Sequence, residues 1–91
     1  MTSVNVLGTK YEIEHVAKLK DDHVGETNFI TKKIFILIDS TQDTDAVLRH
    51  ELMHAFFYEA GLLEYGNDEL LMDFLAVQHD KIEQLMEEAN V

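Results

Sequence analysis

His50 and His54 stand four residues apart with Glu51 between them, in the stretch Arg49-His50-Glu51-Leu52-Met53-His54-Ala55. On an α-helix this spacing stacks two imidazoles on one face about one turn apart, so both can offer a ring nitrogen to one ion. Glu51 is rotated by roughly 100° from His50 about the axis. That sets its carboxylate beside the ion, where it can take a proton from a water held there. H-E-x-x-H on a helix is a zinc-hydrolase signature for this mechanical reason. Shuffling a chain of this composition would produce the pattern roughly once in forty trials. The competing reading is a core helix that happens to carry two histidines, and the surroundings have to decide between the two.

Catalytic zinc takes three protein ligands and keeps one position open. The chain has no cysteine, so every ligand must be histidine or carboxylate. A third histidine at the H-E-x-x-H-x-x-G-x-x-H spacing is absent, because position 57 is Phe and position 60 is Ala. The candidate third ligand is Glu69, on a second helix that an antiparallel turn would carry back across the first; Glu64 and Asp68 are reserves. Asp73, four residues on and one turn along the same line, could accept the other ring N–H of a ligating histidine and fix its orientation. The bland alternative is a solvated face, since Glu69, Asp73, Asp80, Glu83 and Glu87 fall within about 40° of one line at 100° per residue. Both readings hold if only the start of that line meets the first helix. His15 and His23 have no partner at ligand spacing and read as surface or strand residues. Tyr58, Tyr65 and His79 could each stabilise an oxyanion, but read as structural.

The elements that must position these groups are legible to different degrees. Val4-Asn5-Val6 and Tyr11 to Val16 alternate apolar and polar residues around Gly8-Thr9, as a β-hairpin with one buried face does. Residues 17–28 lose periodicity and read as a loop. Ile34 to Asp39 is the clearest strand, five apolar residues in succession before Asp39, with both faces apolar. Ser40 to Asp45 offers hydroxyl and carboxylate caps for a helix expected to run to about Ala60, with Gly61 as its left-handed terminator. Leu48, Leu52, Met53, Ala55, Phe56 and Phe57 wrap most of its circumference, which predicts a buried central helix with Arg49 and Glu59 as solvent anchors. Leu62 to Gly66 reads as a connecting turn. Asn67 is the expected cap of a second helix to about Glu88, with an apolar stripe of Leu70, Leu71, Phe74, Leu75, Ile82, Leu85 and Met86. The expected fold is α+β: a small, mainly antiparallel three-stranded sheet packed on the H-E-x-x-H helix and a second C-terminal helix.

Ninety-one residues without proline or cysteine make one small domain, residues 1–91, whose core is modest unless a metal or partner adds to it. Residues 1–41 carry six acids against five bases, and residues 42–91 carry twelve acids against two, which accounts for the net charge of −11. A surface so acidic repels phosphate backbones and argues against nucleic acid as a partner. It favours cationic partners or peptides. The start, Met1 to Val6, has neither basic region nor apolar run, and no run is long enough for a membrane span, so a cytoplasmic protein is expected.

His50-Glu51-x-x-His54 followed by Glu69-x-x-x-Asp73 resembles the gluzincin pattern of the thermolysin-like zinc peptidases. Its small size, with a strand such as Ile34–Asp39 just before the helix, is similar to the minigluzincins and to the short ImmA/IrrE-like proteins often encoded by phages and prophages. The resemblance spans roughly residues 30–80. It implies Zn2+ on His50, His54 and Glu69, Glu51 as general base, Asp73 behind a histidine, and the Ile34–Asp39 strand aligning a peptide or protein substrate in extended conformation. The second subdomain that usually walls such a cleft is not part of the resemblance. The leading expectation is a zinc-dependent peptidase. The alternatives are a zinc-bearing, catalytically silent protein-binding module of a phage or mobile element, and a metal-free domain with an accidental motif.

Overall fold

The computed structural model describes residues 2–38 and 43–89. Its elements in chain order are strands β1 (Thr2–Val6) and β2 (Thr9–Val16), a single 3-10 turn at Lys20–Asp22, strands β3 (Gly25–Asn28) and β4 (Lys33–Leu37), then helices α1 (Thr44–Glu59), α2 (Leu63–Gly66) and α3 (Glu69–Ala89). The fold is α+β. The sheet has four strands in the order β1-β2-β4-β3 and is mixed rather than mainly antiparallel. β1 and β2 are antiparallel, as are β3 and β4, but β2 and β4 run parallel, with Ile13 opposite Ile34 and His15 opposite Ile36.

The hairpin turn is Leu7-Gly8, one residue before the expected Gly8-Thr9. Both residues have positive φ, 50° and 95°, as the two-residue turn that matches strand twist requires. Asn5 Oδ1 accepts the Gly8 N–H at 2.7 Å. Alternation then buries Val6, Tyr11 and Ile13 on one face.

The extra strand, β3, lies in the segment read as a loop. Gly25-Glu26-Thr27-Asn28 has neither alternation nor β-branched density, so its extended form comes from pairing with β4 and not from local preference. The Asn28 carboxamide closes the β3–β4 connection by accepting the Ile30 and Thr31 N–H groups at 2.9 and 3.0 Å. β4 begins at Lys33 and ends at Leu37, while Asp39 lies outside the described residues. Its apolar run does not have two equivalent faces. Ile34 and Ile36 are fully buried, whereas Phe35 and Leu37 are half-buried on the other side.

Asp43 caps α1, its carboxylate accepting the Asp45 N–H at 2.9 Å; the hydroxyl candidates Ser40 and Thr41 lie outside the described residues. Gly61, with φ 79°, ends the helix as expected. Val47 and Ala55 join Val6, Tyr11, Ile13, Ile34 and Ile36 in the core, with Leu48 and Leu52 packed against it. The helix is not enclosed all round, however: Phe56 is 48% exposed while Glu51 and His54 are buried. Polar groups occupy the inner stripe, which is why hydropathy alone suggests a helix apolar on every side.

Leu63–Gly66 is a short helix and not a plain turn, and Asn67 closes it. Asp68, not Asn67, stands at the start of α3, its carboxylate accepting the Leu71 N–H at 3.1 Å. α3 buries Met72 and Ala76, with Leu71 and Leu75 half-buried; Leu70, Phe74, Ile82, Leu85 and Met86 of the expected stripe are exposed. Arg49 bridges α1 to α3 instead of facing solvent, donating to the Ala76 carbonyl at 3.3 Å and lying 3.6 Å from Asp80. No helix among the described residues is long and apolar enough to cross a membrane.

Candidate metal centre and cleft

Three side chains from two helices converge at the end of a cleft. His50 Nε2 and His54 Nε2 are 3.0 Å apart. Glu69, from the first turn of α3, brings Oε2 to 3.0 Å from His50 Nε2 and Oε1 to 3.1 Å from His54 Nε2. Among the described residues, this is the group of histidine and carboxylate atoms that could hold a metal ion. Ligand atoms about 2.0–2.1 Å from a tetrahedral zinc lie roughly 3.3 Å from one another. The triangle is slightly tighter than that.

The far side of each ring sets which nitrogen faces the centre. His54 Nδ1 lies 2.5 Å from the Gly66 carbonyl, which can only accept, so this nitrogen carries the proton. His50 Nδ1 lies 2.7 Å from Asp73 Oδ1 and likewise donates to a carboxylate. In neutral rings both Nε2 atoms then present lone pairs. With the Glu69 carboxylate, three acceptors face one another with no hydrogen between them. Lone pairs at that separation repel, and only a positive charge at their centre, a metal ion or an added proton, makes the arrangement favourable. The donor set, two imidazoles and one carboxylate with outer partners on both rings, suits zinc.

Glu51 sits apart from this triangle, as the rotation about α1 requires. Its side chain is buried, and Oε1 accepts from the Thr27 hydroxyl at 2.7 Å. Burial pushes its carboxyl above the ordinary glutamate range; the Thr27 hydrogen bond and the two histidines pull it part of the way back. A base raised above the ordinary glutamate range is better matched to proton transfer at neutral pH than an exposed glutamate.

The cleft encloses about 870 Å³, and its walls include Val24 to Thr27, Ala46, Val47, Ala76 and Val77 along with the two histidines, Glu51 and Glu69. One wall is therefore β3, one of the two edge strands of the sheet. β4 is paired on both sides and has no free edge, so the Ile34–Asp39 strand is not the one that could align a peptide.

The reserve ligands take other places: Glu64 is exposed on α2, and Asp68 starts α3. Of the three oxyanion candidates none lines the cleft. Tyr58 stacks on Phe29 with ring centroids 4.4 Å apart, Tyr65 is exposed, and His79 lies 3.5 Å from Asp80. His23 is exposed, as expected of a surface residue, and lines the cleft. Sequence reasoning also missed Gly66, Thr27 and Gly25. No spacing rule points to a backbone carbonyl twelve residues from its histidine or to a hydroxyl in an aperiodic segment. A Cβ on Gly66 would lie 3.0 Å from Phe57 Cβ, so glycine lets α2 come close enough to α1 for that carbonyl to reach His54. No protein-family model, curated protein or solved structure matches this chain.

Proposed function

We propose that the protein is a zinc-dependent peptidase, with Zn2+ held by His50, His54 and Glu69. The observation that carries this reading is the convergence of His50 Nε2, His54 Nε2 and the Glu69 carboxylate, with the outer nitrogen of each ring turned to an acceptor, beside a buried carboxylate and within a cleft. Gly66 and Asp73 orient the two imidazoles so that both Nε2 lone pairs are available. When bound, the ion would make a water acidic near pH 7 and polarise a carbonyl. Glu51 accepts a proton from the attacking water as the new C–O bond forms, then passes it to the amine nitrogen as the C–N bond breaks. The exposed edge of β3 can pair with an extended peptide, main chain to main chain, along the cleft.

Glu51→Gln tests the proposal. The amide keeps the size of the side chain and leaves all three ligands in place, but cannot take the proton. The variant should bind one zinc per chain like the parent, while hydrolysis of an unstructured protein such as casein falls at least about 100-fold. His50→Ala and His54→Ala should lose zinc and activity together. Equal cleavage by the parent and Glu51→Gln would end this mechanism. A zinc protein without turnover would be the binding module instead, and a protein that takes up no zinc would be neither.

A further inference from the structure

We infer that β3 aims the base: Thr27 is a positioning residue for the Glu51 carboxylate, and Gly25 supplies the clearance beside it. The catalytic consequence rests on the peptidase reading; the contact itself does not.

Glu51 is a long side chain on a helix, with three rotatable bonds to be fixed before its carboxylate has a defined aim. Both of its oxygens meet β3. The Thr27 hydroxyl lies 2.7 Å from Oε1 and 3.2 Å from the Glu51 backbone carbonyl. A hydroxyl has a single proton to give, and the nearer, charged oxygen is the stronger acceptor. Oε2 lies against the bare Cα of Gly25. A Cβ built there would stand 2.9 Å from Oε2, 3.0 Å from Glu51 Cγ and 2.7 Å from Val47 Cγ1. Any side chain at position 25 would therefore push the carboxylate away or force β3 and α1 apart. With Oε1 engaged by Thr27 and Oε2 confined but hydrogen-bonded to none of the described residues, Oε2 is the oxygen left to accept a proton. The strand edge that would pair with an extended peptide thus also holds the base, so Glu51 is oriented before substrate arrives. Preorganisation of this kind matters because a misplacement of about 1 Å can cost about 100-fold in rate.

A purely structural role for Thr27, pinning β3 to α1 through the Glu51 carbonyl, predicts something different, and three variants separate the two. Thr27→Val keeps the shape and removes the hydroxyl, Thr27→Ser keeps the hydroxyl, and Gly25→Ala fills the clearance. Each is measured for zinc per chain, melting temperature, kcat and KM on a peptide substrate. Each is also measured for the Glu51 side-chain carboxyl carbon resonance in 13C-glutamate-labelled protein at one pH, assigned by its loss in Glu51→Gln. Thr27→Val should keep the parent's zinc content and KM, lower kcat about tenfold or more, and move the Glu51 resonance. Thr27→Ser should bring kcat back to within about twofold and return the resonance. Gly25→Ala should move the resonance and lower kcat even if Thr27→Val does not fold. An unchanged resonance and kcat in Thr27→Val overturns the inference, and so does a Thr27→Ser variant as impaired as Thr27→Val. If the parent binds zinc but cleaves nothing, the peptidase reading fails by itself. The resonance then decides the contact: moved by Thr27→Val and returned by Thr27→Ser sustains it, and unmoved overturns it.

Discussion

Each histidine of the pair is defined by what its outer nitrogen touches. His54 donates to a main-chain carbonyl on α2, and His50 donates to a carboxylate on α3. The two positions differ in chemistry. A carbonyl fixes orientation, whereas the Asp73 carboxylate also brings negative charge beside the centre. Asp73→Asn retains an acceptor but loses that charge, so zinc affinity should fall by about 10–100-fold while stoichiometric binding persists at high zinc. Glu69→Ala removes a proposed ligand and should lose far more. Competition against a chelator of known affinity measures both. Equal affinities in the two variants would show that Glu69 is not a ligand with Asp73 merely orienting His50.

At the scale of elements, the site depends on α3 returning across α1, and on the sheet that supports α1 from below. Arg49 holds the two helices together, donating to the Ala76 carbonyl of α3. At the far end of α1, Glu59 ties the helix to the sheet. It pairs with Lys32 Nζ at 2.8 Å and accepts from Tyr11 Oη at 2.7 Å and Thr9 Oγ1 at 3.0 Å. Lys32 foremost, then the two hydroxyls, holds the Glu59 carboxyl below its ordinary value of 4.5. The sign follows directly: a carboxylate with a lowered folded value stabilises the fold fully above its unfolded value and loses that contribution as pH falls through the folded one. Glu59→Gln should therefore lower the melting temperature at pH 7, and the gap to the parent should close as pH drops below about 4.5. Thermal melts of the two proteins across that range, compared as a difference, isolate Glu59 from the other carboxylates. A gap that stays constant to low pH would contradict a charged tie between α1 and the sheet.

For the molecule as a whole, ninety-one residues bury a small core, and the second half of the chain is strongly acidic. An ion shared by α1 and α3 would join the two helices and offset part of that charge. Metal bound only to the folded state adds stability by mass action, about 2.7 kcal/mol when free zinc is a hundredfold above Kd. For a domain of this size that corresponds to roughly 10–20 °C in Tm. Protein shown to hold zinc should thus melt about 10 °C or more lower after EDTA, and recover when zinc is returned. No shift on chelation would mean that the centre, even if occupied, does not support the fold.

How much of this could be read from the chain alone follows from the range of the interactions involved. A motif at helical spacing is a local property, so the pairing of His50 with His54 and the offset of Glu51 were determined as soon as residues 44–59 were known to be helical. The Gly61 terminator and the amphipathic hairpin are local in the same way, although the hairpin's turn falls at Leu7-Gly8, one residue before the expected place. Glu69 and Asp73 were legible because one antiparallel return puts the start of a second helix opposite the first. Tertiary structure decided the rest. β3 has no local signature and exists through its pairing with β4, and insertion of β4 between β2 and β3 gives the edge of the sheet to Gly25–Asn28 and not to the apolar strand. The Gly66 carbonyl and the Thr27 hydroxyl act on residues twelve and twenty-four positions away. Contacts at such separations are set by how the elements pack, and no periodicity within one element encodes them.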